Sequence, residues 1–274
     1  MGADNIRVAI SGATGRMGRQ LIQSLLLKSN CYKSVVFTAA ITNSNSKFIG
    51  SDVGRLIDGR SVGIVIHDSI EDIYKDFDIL IDFSSSQATL NYLKSCNMYN
   101  KNMVIGTTGF TEEEFVFIKK TSQKIGIVFS PNFSIMVNVM LKLLEKATSI
   151  IGGMSDIKII ELHHRNKKDI PSGTALKIRQ SILSVLFGSD NKKVRNMFSK
   201  MNNDYDIDIH SMRAGGFVGE HNVLFANDGE SLEVIHRGFD RSIFASGAIY
   251  SALWLGVLKV GLFDMVNVLG LDEI

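Results

Sequence analysis

The run Glu161-Leu162-His163-His164-Arg165-Asn166-Lys167-Lys168-Asp169-Ile170-Pro171-Ser172-Gly173-Thr174 gathers the densest set of groups able to move a proton or hold an anion. His163, His164 and Lys167 can donate protons or pair with a negative charge near neutral pH. Ser172, Gly173 and Thr174 add hydroxyls and first-turn amides at a predicted helix start, the means by which a carboxylate or phosphate is held without bulk. Taken alone, Ser172 is more often only an N-cap. A metal site is the rival reading, since Glu161 and His163 share a strand face by the period of two. It lacks support from an H-E-x-x-H pattern or a neighbouring cysteine, and His67, His210, His221 and His236 are scattered, so no metal is expected. A solvated basic loop would leave Pro171-Ser172-Gly173-Thr174 unexplained.

A second chemical signal stands near the start, where Gly12-Ala13-Thr14-Gly15-Arg16-Met17-Gly18 follows a predicted strand and opens a predicted helix. In that context Gly12 permits the tight turn, Gly15 lets backbone approach a pyrophosphate and Gly18 lets the helix pack close to the strand. A tight turn with no ligand is the alternative. The end of the second strand, where an NAD site places Asp or Glu against the ribose hydroxyls, carries Thr42 and Asn43 instead. With Arg16, and Lys47 as a further cation, the balance between NADPH and NADH leans toward NADPH. Two further strand-end loops, Gly106-Thr107-Thr108-Gly109 and Ser130-Pro131-Asn132-Phe133-Ser134, lie where a doubly wound sheet makes ligand contacts, though each read alone fits ordinary turn chemistry.

The elements that must position these groups follow from hydrophobic periodicity. Short Val- and Ile-rich runs at Ile6–Ser11, Val35–Ile41, Gly63–His67, Ile79–Phe83, Met103–Gly106 and Gly126–Ser130 predict strands. Helical patterns at Arg19–Leu27, Gln87–Ser95 and Glu112–Ser122 alternate with them, the last opened by a Thr111/Glu114 capping box. This alternation predicts a Rossmann-like, doubly wound parallel sheet. The rhythm then changes. A helix at Val137–Ile150, a strand at Ile157–His163 and a helix at Thr174–Leu186 precede a polar stretch at 189–206 read as a surface excursion. Strands at Ile207–Arg213, Val218–Ala226 and Ser231–His236 look antiparallel, with Asn227-Asp228-Gly229 turning between the last two. The apolar helix Ser242–Leu258 must be buried, and is expected to return to the first domain. The chain is thus expected to be α/β, with a dinucleotide-binding domain at 1–132 completed by 240–274. An α+β domain with a mixed sheet at 133–239 serves substrate binding.

Composition agrees with a folded enzyme. In 274 residues, 45 % are hydrophobic and 21 % charged, enough for a sizeable core. Thirty basic against 28 acidic residues leave +2, too little to imply nucleic acid. Cys31 and Cys96 form no metal or disulfide framework, so a reducing compartment, the cytoplasm, is expected. Ala248–Leu262, the most apolar stretch, is shorter than a bilayer span and contains Lys259, so no membrane role is expected.

The strings VAISGATGRMGRQLIQ, DFDILIDFS, MVIGTTGF, SPNFSIMVNVMLKLLEKA, IELHHRNKKDIPSGTAL, MRAGGFVGEH and SALWLGVLKVGLFDM, in this order, resemble the dihydrodipicolinate (4-hydroxy-tetrahydrodipicolinate) reductase family of the diaminopimelate route to lysine. The family's E-x-H-H-x-x-K-x-D-x-P-S-G-T-A motif matches Glu161 to Ala175. The resemblance implies that His163 is a proton donor or acceptor and Lys167 a second proton donor. It implies that His164, Gly173 and Thr174, helped by Ser172, bind a cyclic dicarboxylate. Cofactor contacts would come from Gly12, Ala13, Thr14, Gly15, Arg16 and Met17, from Gly106, Thr107 and Thr108, and from Ser130, Pro131, Asn132 and Phe133, with Asn43 at the ribose. Many relatives carry an acid followed by a base where Thr42 and Asn43 stand here. A homotetramer assembled through the second-domain sheets is also implied. Two other classes share the glycine loop. A short-chain dehydrogenase would need Tyr-x-x-x-Lys, which no tyrosine here provides. A redox-sensing regulator would have no use for His163, His164 and Lys167 beside an anion site.

Overall fold

A computed structural model of the chain describes residues 5–27, 34–188, 207–256 and 259–273. The expectations for Cys31, for the polar stretch 189–206 and for 257–258 at the end of the last long helix lie outside the described residues. The chain divides into two compact units, one comprising Met1–Ile135 with Ser242–Asp272, the other Met136–Arg241.

The first unit is built from β1 (Ile6–Ser11), α1 (Arg16–Leu27), β2 (Val35–Ile41), β3 (Ile66–His67), β4 (Ile79–Asp82), α2 (Ser86–Met98), β5 (Asn102–Ile105), α3 (Glu112–Thr121) and β6 (Gly126–Phe129). The capping box that opens α3 is present, with Thr111 Oγ1 accepting from the Glu114 amide at 3.2 Å and the Glu114 carboxylate accepting from the Thr111 amide at 2.8 Å. The third strand is shorter than its apolar run suggests. Gly63, at φ +79°, and an isolated bridge from Val65 to Asp52 take up the residues before Ile66.

All strand pairs of this sheet, which β11 (Gly261–Phe263) completes, are parallel, in the order β11-β6-β5-β4-β1-β2-β3. Because side chains alternate across a strand, the sheet has two apolar faces. Val8, Ile10, Ile79, Ile81, Val104 and Val128 pack with α1 and with α6 (Ser242–Leu255). Ala9, Leu80, Met103, Ile105 and Ile127 pack with α2 and α3 through Leu93, Cys96 and Ile118. The expected burial of α6 is thus met inside the first unit. Gly247 makes its close seat possible, since a Cβ there would fall 1.7 Å from the Phe133 carbonyl oxygen. Sequence periodicity missed β11 (Gly261–Phe263), which extends the sheet beside β6, and α7 (Met265–Leu269), capped by Asp264.

The second unit contains α4, which opens at the boundary (Ile135–Ile151), then β7 (Asp156–His163), α5 (Gly173–Phe187), β8 (Ile209–Arg213), β9 (Gly219–Ala226) and β10 (Ser231–Gly238). Its sheet runs β10-β9-β7-β8. β9 is antiparallel to β7 and β10, but β8 is parallel to β7 and so departs from its antiparallel reading. The cause is the α5 crossover, which carries the chain back before β8 begins. Met140 and Leu144 of α4 and Ala175, Ile178, Ile182 and Leu186 of α5 cover one face through Ile157, Ile159, Val223 and Phe225.

Candidate functional site

In β7 the alternation that buries Ile157 and Ile159 also buries Glu161 and His163 at the end of the same face. Glu161 is fully buried and meets His163 Nδ1 through Oε2 in a short contact. Its other oxygen, Oε1, accepts from Arg213 Nη2 at 2.8 Å and from the Ser172 amide at 3.3 Å. Arg213 Nη2 also donates to the Asp169 carbonyl at 2.7 Å, and Nη1 to that of Met212 at 2.7 Å. Lys167 is turned into the same loop by its ion pair with Asp169, 2.9 Å away. His164 is half-buried, and its carbonyl accepts the Lys167 amide at 3.0 Å.

Ser172 caps α5, its Oγ accepting from the Ala175 amide at 3.2 Å. The same oxygen lies 3.2 Å from His221 Nε2, and Ser172 is only 2 % exposed, so its hydroxyl is committed to holding the helix start. Gly173 is exposed and Thr174 half-buried, which leaves that turn as the accessible part of the α5 start.

Burial by itself would raise the Glu161 carboxyl, but the Arg213 guanidinium and the His163 contact outweigh it and bring it down to about 2. Burial lowers the His163 imidazole, helped by the charges of Lys167 and Arg213 and opposed by Glu161. Lys167 lowers Asp169 by hydrogen bonding to it. The site therefore holds an ionised carboxylate against an imidazole that burial keeps neutral, with an ammonium group in the adjoining loop. Proton transfer and anion binding are what such a set can do. Among the described residues no group of three His, Cys, Asp or Glu is placed to hold a metal ion.

In the first unit the three predicted loops lie at the carboxyl ends of the parallel strands β1, β5 and β6, the edge where doubly wound sheets bind ligands. Gly12 has φ +65°, and a Cβ on it would sit 2.5 Å from the Phe83 carbonyl oxygen. A Cβ at Gly18 would meet the Gly12 oxygen at 2.2 Å, so α1 can lie this close only with glycine there. Gly15 and Arg16 are exposed, Thr14 and Met17 half-buried, and Ala13 fully buried. This glycine cradle with a helix start behind it fits a dinucleotide pyrophosphate. Gly106 lies under the Phe83 ring, and Thr107 is buried while Thr108 is exposed. Ser130 is buried and Pro131 exposed. The Ser130 hydroxyl donates to the Asn132 carbonyl at 2.9 Å, and Asn132 Oδ1 accepts the Ser134 amide at 2.9 Å. The Phe133 ring belongs to the core, edge-on to Phe83 at 5.7 Å, so it serves this loop by anchoring it.

Two positions separate just after β2. Thr42 is 1 % exposed, its hydroxyl 2.8 Å from that of Thr14, whereas Asn43 is exposed. Of the two, Asn43 is the one open to solvent, with its Oδ1 accepting the Asn45 amide at 3.1 Å. Sequence reading also missed Asp82, a fully buried carboxylate at the end of β4. It accepts hydroxyl hydrogen bonds from Ser11, Ser84, Thr89 and Thr107, so one side chain ties together the ends of β1, β4 and β5 and the start of α2. The signal was an Asp closing an apolar strand and followed by Ser84, Ser85 and Ser86.

Family models agree with both halves. The N-terminal model of dihydrodipicolinate reductase matches residues 6–133, and its C-terminal model residues 136–269. The 4-hydroxy-tetrahydrodipicolinate reductase of Blochmanniella pennsylvanica (strain BPEN) is 44 % identical over 276 residues, covering 98 % of both chains. The dipicolinate-bound dihydrodipicolinate reductase of Paenisporosarcina sp. TG-14 superposes with a TM-score of 0.76 at 26 % identity, over 96 % of this chain and 98 % of that one. An amine dehydrogenase of Mycobacterium smegmatis, 11 % identical over 96 % of each chain with a TM-score of 0.59, shares the fold alone. The chain therefore belongs to the dihydrodipicolinate reductase family of pyridine-nucleotide-dependent oxidoreductases.

Proposed function

We propose that this protein reduces 4-hydroxy-tetrahydrodipicolinate to tetrahydrodipicolinate, with loss of water, in the diaminopimelate route to L-lysine. The observation that carries this reading is the buried Glu161–His163 pair with Lys167 in the adjoining loop and the Ser172-capped start of α5 beside them. Bound NADPH or NADH supplies the hydride. Gly12, Ala13, Thr14, Gly15, Arg16 and Met17 hold the pyrophosphate. Gly106, Thr107, Thr108, Ser130, Pro131, Asn132 and Phe133 form the remaining wall of that site.

In the second unit His164, Gly173 and Thr174 take the substrate carboxylates, and Ser172 supports them as the cap. The dipicolinate bound to the Paenisporosarcina relative is a ring with two carboxylates, in keeping with that division of roles. His163 gives or takes a proton, and Lys167 donates one as negative charge builds on the ring during reduction. The preference between cofactors leans to NADPH, because β2 ends without a carboxylate that would repel a 2′-phosphate, while Arg16 is exposed.

The same reading makes the protein a cytoplasmic homotetramer that binds neither nucleic acid nor membrane. In support, the sheet face of the second unit opposite α4 and α5 carries exposed Ile160, Met212 and Ile235, an apolar surface suited to a second copy. No described helix is long and apolar enough to cross a membrane. The decisive experiment mixes purified protein with NADPH or NADH and freshly generated 4-hydroxy-tetrahydrodipicolinate and follows the loss of reduced-nicotinamide absorbance. Failure to consume either cofactor refutes the assignment. Sedimentation velocity reads the assembly, and a monomer at working concentration refutes the tetramer.

A further inference from the structure

The roles assigned above leave Glu161 and Arg213 without a task, although they are the most tightly held charges in the cluster. Glu161 is fully buried, and its two oxygens face different partners. Oε1 accepts from Arg213 and from the Ser172 amide, and Oε2 meets His163 Nδ1. An ionised carboxylate only accepts hydrogen bonds, so the nitrogen facing it must carry a proton. In a neutral imidazole the other nitrogen is then bare. On that side stands Gly219, where a Cβ would come 2.9 Å from His163 Nε2 and 3.3 Å from Cδ2. The guanidinium that holds Glu161 also donates to the Asp169 carbonyl, and the Asp169 carboxylate pairs with Lys167.

We propose that Glu161 and Arg213 are positioning residues of this site. Glu161, ion-paired to Arg213, keeps the proton of His163 on Nδ1 and leaves Nε2 as the nitrogen that exchanges a proton during turnover. Arg213 also fixes the loop that carries Lys167. The inference rests on the role given to His163 above.

Glu161→Gln is the informative change. Arg213 and the Ser172 amide both donate toward Oε1, so the glutamine oxygen settles there and its NH₂ group turns toward His163. That group can only donate, which forces Nδ1 to become the acceptor and moves the proton to Nε2. The readout is ¹⁵N-histidine NMR of the intact protein above the histidine titration range, with His163→Ala identifying the signal. In the wild type His163 should carry its proton on Nδ1, and in Glu161→Gln on Nε2. Turnover in that variant should fall by ~10²–10⁴-fold. With the negative charge gone, the histidine limb of its pH–rate profile should move to lower pH. Arg213→Met should lower kcat and leave cofactor binding, measured by fluorescence titration, unchanged. A wild-type His163 protonated on Nε2, or a Glu161→Gln variant with unchanged tautomer and turnover, overturns the proposal. The wild-type spectrum decides even where the variant does not fold. Full turnover in His163→Ala would instead overturn the role of His163 itself, an outcome that the tautomer measurement distinguishes.

Discussion

Replacing His221 by Gln should make the protein less sensitive to mild acid. His221 is 4 % exposed and lies between two other imidazoles, with ring centroids 5.2 Å from His163 and 6.3 Å from His236. Its Nε2 meets the Ser172 hydroxyl, while Nδ1 is buried with no hydrogen-bond partner among the described residues. Burial first, then the charges of His163, His236 and Lys167 against the opposing pull of Glu161, lower its pKa to about 3. In the unfolded chain it titrates near the ordinary ~6.5. As pH falls through that value the unfolded state binds a proton that the folded state refuses. Stability therefore drops by ~1.4 kcal/mol per pH unit until folded His221 titrates in turn. From neutrality to pH 5 the loss is about 2 kcal/mol, a substantial part of a stability of 5–15 kcal/mol, and worth about 4–8 °C in Tm for a chain of this size. Glu161, lowered to about 2, adds its own loss only below the ordinary carboxylate range, so this window isolates the histidine contribution. His163 and His236 are also lowered by burial and act with the same sign in both proteins. Thermal melts followed by circular dichroism at both pH values, for wild type and His221→Gln, give the comparison. The wild type should lose more Tm on acidification by the amount just worked, and equal losses would refute the reasoning.

Lys167→Ala should fold normally and lose ~10²–10⁴-fold in turnover, and a variant with near wild-type kcat at neutral pH removes Lys167 from the chemistry. Asn43→Glu should shift the kcat/KM ratio toward NADH by up to ~10–100-fold, because the new carboxylate accepts ribose hydroxyls and repels a 2′-phosphate; an unchanged ratio places ribose recognition elsewhere. Thr42→Glu, although one residue away, would bury a carboxylate against Thr14 and should show itself as a lowered Tm. Asp82→Asn should weaken NADPH binding by about tenfold or more in a fluorescence titration, since the amide cannot accept all four hydroxyls that now converge on it. Unaltered affinity would show that the strand-end loops keep their shape without it.

How much of this was readable from the residues depended on whether a signal was local. The strands of the first sheet and the Thr111 cap follow from periods of two and from neighbours three apart, so β1 and β2 match their predicted spans and α3 opens where its cap predicts. The three residues of β11 carry no period, and only pairing with β6 makes them a strand. The same division runs through the candidate site. His163, His164, Lys167 and Ser172 stand within ten residues of one another, and their chemistry is visible as a cluster. Arg213 is 52 residues from Glu161, and His221 is 49 from Ser172. Nothing near Arg213 in the chain marks it as the partner of a buried carboxylate. Its place comes from the register of β7 and β8, which sets Glu161 beside Ser211 and His163 beside Arg213. That register exists only because β8 runs parallel to β7. The strand whose direction was misread is thus the strand that delivers the missed residue: with β8 taken as antiparallel, its last residue is not expected beside the last residue of β7. The candidate proton-handling groups, with Glu161 beside them, were legible as a local cluster, while Arg213, which holds Glu161, is supplied by the sheet.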